Sequence, residues 1–133
     1  MNKQELFDKV VRHLVKQGRP SGHRTKYGSF ICSYLSATGE QCAAGCLLPK
    51  DHDYTKHNNC AWGRLVDLEP TLEDIGSISF IIELQLAHDS MSSHTNWRRH
   101  WFSNMISLAQ VSGNLSTNVI EELATSEWCA VQV

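Results

Sequence analysis

The sequence predicts an α+β fold, a helix-rich single domain with a small two-stranded β-hairpin. Apolar residues recur at helical spacing along most of the chain, which predicts about five to six helices. One run, residues 30–35, is instead rich in β-forming residues. We expect a single domain over residues 1–133, with a core at about 3–113 and a C-terminal extension at 114–133.

The helices follow from the apolar pattern and from the residues that stop it. Residues 3–17 predict an amphipathic helix that ends near Gly18, a favoured C-terminal cap. Segment 77–89 is apolar nearly all round and predicts a central buried helix, although its β-branched residues leave a strand as the alternative. The other predicted helices are a short one at 43–48 before Pro49, one at 60–68, one from Trp97 that ends before Gly113, and a short one after Ser116.

The hairpin prediction rests on residues 30–42. Residues 30–35 would form the first strand, Thr38-Gly39 the turn, and residues 40–42 a short returning strand. Because a two-stranded ribbon is only marginally stable alone, we expect it to pack on the helices.

The composition argues against several classes of protein. The chain has a formal charge of −2, with 41% apolar and 20% charged residues, a balance typical of a globular domain and not of a nucleic-acid-binding protein. No apolar run approaches the roughly 18 residues that a membrane span needs. Because residues 1–5 show no apolar signal region, we expect a cytoplasmic protein whose five cysteines are reduced.

The run Gln41-Cys42-Ala43-Ala44-Gly45-Cys46-Leu47-Leu48-Pro49 is the most informative part of the sequence. Its two cysteines are four residues apart, so on a helix both would lie on one face. In the simplest interpretation both thiols pack inward as small apolar groups, and Gly45 allows a close approach of another segment.

A catalytic interpretation would use Cys46 as the nucleophile, His88 as its base and Asp89 as the orienting group. Adjacent residues point in different directions on a helix, so Asp89 is poorly placed to orient His88. Cys46 also lies past the first turn of its predicted helix, where the helix dipole lowers a thiol pKa less. We therefore predict no catalytic site.

A zinc interpretation would use five residues spaced as C-x3-C-x5-H-x4-H-x2-C, namely Cys42, Cys46, His52, His57 and Cys60. Zinc binds cysteine and histidine readily. The spacing departs from that of common structural sites, whose paired ligands are separated by a dozen or more residues. We therefore predict no cofactor, and a zinc-stabilised binding domain remains an alternative.

The third candidate site is the start of the tryptophan helix, with Trp97, Arg98, Arg99, His100 and Trp101. One interpretation is a core stripe beside a solvated basic face. The other is a partner-binding surface, because arginine and tryptophan are enriched at binding hot spots. Two arginines are too few to argue for nucleic-acid binding.

The 41–49 run resembles a Cys-Ala-x-Gly-Cys-Leu-Ile-Pro-Asp motif found in small, largely uncharacterised proteins of phages and bacterial mobile elements. Similar proteins continue with a helix that ends in a Leu-Gln-x-x-His-Asp pattern, then a tryptophan-led helix that closes near Leu-Ala-x-x-x-Gly. This chain has Leu84-Gln85-Leu86-Ala87-His88-Asp89, then Trp97, then Leu108-Ala109-Gln110-Val111-Ser112-Gly113, so the resemblance covers about residues 3–113.

The chain departs from that pattern at several positions. Lys50 stands where aspartate is common, and similar proteins do not always keep the cysteine at Cys46, which argues against an essential nucleophile or ligand there. The 52–60 segment and the tail after Gly113 have no counterpart in the pattern.

The resemblance implies a helix-rich α+β domain with a small hairpin, encoded by a phage or mobile element. We expect a non-enzymatic accessory protein that binds and inhibits or redirects a host or bacterial defence protein, in the manner of an anti-CRISPR protein. The alternatives are a small cysteine-dependent enzyme that uses Cys46 and His88, and the zinc-stabilised domain. No sequence feature favours a small ligand held between helices.

Overall fold

The computed structural model describes residues 1–19, 21–24, 26, 27, 30–89 and 97–123. Within these residues the chain forms five α-helices: α1 Lys3–Gln17, α2 Trp62–Leu68, α3 Ile78–Asp89, α4 Trp97–Val111 and α5 Asn118–Leu123. Two 3-10 helices, Gly45–Leu47 and Pro70–Ile75, and two short strands, β1 Gly22–Arg24 and β2 Phe30–Cys32, complete the described elements.

Helix α1 has the predicted bounds because its ends are strongly capped. The Asn2 side chain accepts a hydrogen bond from the Glu5 backbone N–H, and the Glu5 carboxylate accepts one from the Asn2 backbone N–H, which together form a capping box. At the other end Gly18 adopts the left-handed conformation with φ 73° and donates to the Leu14 carbonyl. The predicted amphipathic helix at 3–17 is confirmed.

Helix α3 lies at the centre of the fold and packs against α1, α2 and α4. Phe80, Ile81 and Leu84 are buried among those neighbours, which is where a helix with so many apolar residues belongs. The prediction of a buried helix at about 77–89 is confirmed, and the strand alternative is wrong.

The predicted hairpin is wrong. Residues 40–42 form no strand, and the backbone N–H groups of residues 33–35 that would have faced them bond elsewhere: Ser33 to the Ser21 carbonyl, Tyr34 to the Asn58 carbonyl and Leu35 to the Asn58 side chain. With those donors engaged, no ladder to residues 40–42 can form. Two parts of that prediction remain: a strand at Phe30–Cys32, which pairs with Gly22–Arg24 and not with residues 40–42, and the Thr38-Gly39 turn, with Gly39 at φ 92°.

The α+β class is therefore also wrong, because the described fold is helical and contains no β layer. The described strands β1 and β2 pair in antiparallel orientation, with Gly22 opposite Cys32. Each strand is three residues long. Such a ribbon is too short to bury a face of its own. The predicted helix at 43–48 is likewise reduced to the 3-10 turn Gly45–Leu47, which Pro49 prevents from extending.

The core is formed by helices α1 to α5 and by the segment around the first 3-10 helix. From α1 it takes five side chains that are fully buried: Leu6, Phe7, Val10, Val11 and Leu14. Val119 and Ile120 of α5 join the same apolar cluster and pack near α1. None of the described helices combines the length and the apolar character that a bilayer crossing requires.

Candidate functional site

The cysteine motif is a tight packing joint against the segment that contains Tyr34. A Cβ atom placed on Gly45 would fall 2.9 Å from both the carbonyl carbon and the Cα of Tyr34, and nearer still to the Tyr34 carbonyl oxygen. Contacts of that length to backbone atoms do not occur, so only glycine fits at this position. The expected close approach at Gly45 is confirmed.

Both motif thiols are engaged inside this joint. The Cys42 Sγ accepts a hydrogen bond from the Gly45 backbone N–H at 3.3 Å, and the Cys46 thiol donates to the Ala43 carbonyl at 3.2 Å. Burial raises the pKa of Cys46 to about 12, with the charge of Lys9 and a backbone hydrogen bond opposing the rise more weakly. A thiol with that pKa is neutral at physiological pH, which makes it a poor nucleophile and a poor metal ligand.

The candidate base, His88, is part of a buried structural network. Its side chain has no solvent exposure, and its Nε2 accepts a hydrogen bond from the Ser21 backbone N–H at 3.3 Å. The Ser21 hydroxyl in turn lies 2.7 Å from the Ser33 carbonyl oxygen and 2.8 Å from that of Glu40. Ser21 therefore links His88 of α3 to the segments at Ser33 and Glu40. The side chain of Asp89 lies outside the described part of the structure.

The five zinc candidates are not gathered into one site in the described structure. Among the described residues no three histidine, cysteine, aspartate or glutamate side chains form a group suited to a metal ion. His52 packs edge-on against Tyr54, with ring centroids 4.9 Å apart, and its Nδ1 lies 3.8 Å from a Glu69 carboxylate oxygen. His57 is exposed, and Cys60 lines a cavity whose lining does not include Cys46.

Of the five residues of the predicted binding surface at the start of α4, the structure describes the side chain of Trp101 alone. Trp97, Arg98, Arg99 and His100 lie in the first turn of α4, and their side chains are outside the described part of the structure. Trp101 has no solvent exposure, and its ring lies 5.3 Å from that of Phe102. Trp101 is thus a core residue and is not available to a partner in this conformation.

A cavity of about 290 Å³ opens between α2, α3 and the 58–61 loop. Its lining combines five apolar or aromatic residues, three carboxamides and two cysteines, namely Tyr34, Ala61, Trp62, Ile82, Leu86, Asn58, Asn59, Gln85, Cys42 and Cys60. None of these side chains carries a formal charge at neutral pH. The 58% exposure of Leu86 marks the side that meets solvent.

Hydrogen bonds hold the cavity walls in place. The Asn58 side chain donates to the Leu35 carbonyl at 2.9 Å and accepts from the Leu35 N–H at 3.0 Å, so it binds that backbone as a neighbouring strand would. The Tyr34 hydroxyl donates to the Cys60 carbonyl, and the Gln85 amide oxygen accepts from the Ala44 N–H at 2.9 Å. The cavity is therefore preformed, as ligand sites usually are.

Trp62 also carries an unusual group that is buried away from the cavity. Its side chain is 2% exposed, and its indole N–H has no acceptor among the described residues. A buried donor without an acceptor is rare and costs about 1–3 kcal/mol, so such a group calls for a physical reason.

Sequence reasoning did not find this cavity. Asn58 and Asn59 stand in a polar loop that reads as solvent-exposed, and Gln85 reads as one polar residue of a buried helix. The only hint in the sequence is the Asn58-Asn59 pair directly before the Cys60 to Trp62 helix start, since carboxamides favour bonds to neighbouring backbone.

Comparison of the chain with protein-family models, with curated proteins and with solved structures gives no match. The resemblance to phage and mobile-element proteins accordingly stays a prediction from the motifs alone.

Cys46 is expected to react far more slowly in the folded protein than in the unfolded chain. The native pKa of about 12 against an ordinary value of 9.0 predicts a roughly thousandfold lower thiolate fraction at neutral pH. The measurement is alkylation by a thiol-specific reagent, native and in denaturant, with the labelled residue identified by mass spectrometry. Native labelling of Cys46 at a rate close to that in denaturant would contradict the burial argument and revive the enzyme alternative.

Proposed function

We propose that this chain is a non-enzymatic accessory protein of a phage or mobile element. In this proposal it acts in the host bacterial cytoplasm, where it binds and inhibits or redirects a host or defence-system protein. The motif pattern over about residues 3–113 supports the origin.

The observation that carries the non-enzymatic part of the proposal is the state of the two catalytic candidates. The Cys46 thiol is engaged with a backbone carbonyl and has a raised pKa. The His88 Nε2, which would have to accept a proton, already accepts a hydrogen bond from the Ser21 backbone and is fully buried. Nucleophile–base chemistry needs both groups accessible to a substrate, and this pair is used for packing instead.

The proposed contact surface is the first turn of α4, with Arg98 and Arg99 as its charged residues. Arginine is enriched at protein interfaces because its planar guanidinium forms several hydrogen bonds at once. Trp101 is excluded from the surface because it is buried in the core.

The test begins with a tagged pull-down from a bacterial lysate and identification of stoichiometric partners by mass spectrometry. Against the partner so found, Arg98→Glu with Arg99→Glu is expected to weaken binding by about tenfold or more, because opposite charge at an interface both removes attraction and adds repulsion. Affinity is measured by titration calorimetry, and folding by circular dichroism.

The matched control is Lys9→Glu with Lys16→Glu, two exposed residues of α1 that change the net charge by the same amount. This control is expected to bind the partner with unchanged affinity apart from a small long-range electrostatic effect. Equal affinities in both double variants would remove the start of α4 as the contact surface, and the absence of any stoichiometric partner would count against the proposal as a whole.

A further inference from the structure

We propose that His13 and His88 form an acid-sensitive latch, which holds neighbouring backbone in place while both imidazoles are neutral and releases it when they become protonated. His13 lies half-buried on α1, and His88 lies fully buried in the last turn of α3. The backbone that the latch holds is that of Ser21, directly before β1, and that of Gln41, directly before Cys42. The latch uses none of the residues of the proposed contact surface, so it can be tested on the protein alone.

The bond from Ser21 defines the protonation state of His88. A backbone N–H can only donate, and the Ser21 N–H donates to the Nε2 of His88 at 3.3 Å, so this nitrogen carries no proton. A proton added to Nε2 would turn the acceptor into a donor that faces another donor, and the bond would be lost. Because Ser21 is itself fully buried, loss of that bond would leave its N–H without an acceptor away from water, which is unfavourable.

His13 binds the backbone that enters the cysteine motif. Its Nε2 lies 2.9 Å from the Gln41 carbonyl oxygen, which can only accept, so His13 donates this bond. Gln17 of the same helix holds Gln41 from both sides, because its amide donates to the Gln41 carbonyl at 2.9 Å and accepts from the Gln41 N–H at 2.7 Å. Helix α1 therefore fixes the backbone of Gln41 while α3 fixes that of Ser21.

The surroundings favour the neutral form of His13. Burial lowers the pKa of His13, and hydrogen bonds to the Gln41 backbone and to the Gln17 side chain oppose that effect. The nearby His88 and Lys16 lower the pKa of His13 further, because each adds positive charge when protonated. Protonation of both imidazoles would thus place two like charges close together in a poorly hydrated part of the molecule.

The other described charges do not compensate for a protonated imidazole. The Glu40 carboxylate, next to Gln41 in the chain, is already paired with Arg19 at 3.1 Å. The described side chains of α4, residues 101–111, include no charged group, and the charged residues Arg64 and Asp67 of α2 are exposed to solvent. The neutral state of both histidines is therefore a condition for the closed latch.

Opening of the latch is linked to the uptake of protons. In the closed state both imidazoles are held neutral, whereas in the open state each would titrate with the ordinary histidine pKa of about 6.5. The open state therefore binds more protons below about pH 6.5, so the closed latch is most stable above that pH and loses stability as the pH falls. At pH 5.5, relative to pH 7.5, one such histidine raises the open population by about tenfold and two raise it by up to about a hundredfold.

The experiment measures amide hydrogen exchange of the full chain by NMR at about pH 7.5 and about pH 5.5, with each rate divided by the intrinsic rate at that pH. The Ser21 and Gln41 amides report the latch directly, since each donates to a latch side chain or to its neighbour Gln17. We expect their protection to fall by more than tenfold, and by up to about a hundredfold, at the lower pH. At both pH values we expect them to exchange faster than the slowest amides of α1.

Three variants assign the effect to the two histidines. His88→Gln offers an amide oxygen that can accept from Ser21 but does not titrate, and it is expected to leave a fall of less than tenfold, the part due to His13. His13→Gln is more exposed and safer for folding, and it is expected to leave about a tenfold fall, the part due to His88. His57→Gln replaces an exposed histidine and is expected to behave as the wild type does.

Each of three results would overturn the proposal. The first is equal protection of the Ser21 and Gln41 amides at the two pH values. The second is a fall in protection that neither His13→Gln nor His88→Gln reduces. The third is exchange of these amides at the rate of the slowest α1 amides, which would mean that the latch opens only when the whole domain unfolds.

Discussion

Replacement of Gly45 by alanine is expected to destabilise the protein by about 3 kcal/mol or more, or to prevent folding altogether. The added methyl group would overlap the backbone of Tyr34, which cannot yield as the end of a flexible side chain can. The same segment carries the Tyr34 and Leu35 donors that bond to Asn58, so displacement of Tyr34 would break those bonds too. Urea denaturation followed by circular dichroism measures the loss.

The matched control is Gly63→Ala in helix α2. A Cβ at this position would meet only the Ile82 Cδ1 at 3.8 Å, an ordinary contact distance. Alanine also restricts the unfolded chain more than glycine does, so this variant is expected to be more stable than the wild type by about 0.5–1 kcal/mol. If Gly45→Ala lowers the free energy of unfolding while Gly63→Ala raises it, the loss is specific to the packing joint. A Gly45→Ala variant as stable as the wild type would refute the close approach to Tyr34.

Replacement of Trp101 by alanine is expected to cost about 3–5 kcal/mol, the usual range for loss of a large buried aromatic side chain. Trp101 is fully buried in α4, beside Phe102 and within the same cluster as Met105. Thermal and urea unfolding measure the loss directly. Because a lower free energy of unfolding reduces protein abundance in cells, the yield of folded Trp101→Ala protein is expected to fall as well.

The control on the same helix is Ile106→Ala, since the Ile106 side chain is 40% exposed. It is expected to cost less than about 1 kcal/mol, as most partly exposed substitutions do. A similar small effect for Trp101→Ala would mean that the indole is not part of the core. The comparison also matters for function, because a failure of Trp101→Ala to bind a partner would report loss of folding and not loss of a contact.

The elements that periodicity predicts well are those whose stabilising groups are close in sequence. The capping box and left-handed Gly18 define α1 from residues within the helix and next to it, and the apolar content of α3 specifies burial whatever its neighbours are. For such elements the physical determinants can be read from a single segment.

The hairpin prediction failed because the groups that decide the pairing of residues 30–35 are far apart in the sequence. Residues 30–35 have the composition of a strand, but composition does not name the partner, and Asn58 competes for the same backbone donors from a position far along the chain. The cavity escapes prediction likewise, because Asn58 and Gln85 come together only after α3 has packed against α2. At the start of α4 the tryptophan stripe did indicate a core face, and the burial of Trp101 confirms that interpretation for this residue.

The double hydrogen bond between Asn58 and Leu35 has a consequence for how the molecule opens. Because the Asn58 side chain bonds to the Leu35 backbone as a neighbouring strand would, the 58–61 loop and residues 34 and 35 stabilise each other. Loss of either segment would release the other, so the two are expected to exchange their amide hydrogens as one cooperative unit and not as independent loops. The mouth of the cavity would then open and close together with the backbone that clamps Gly45.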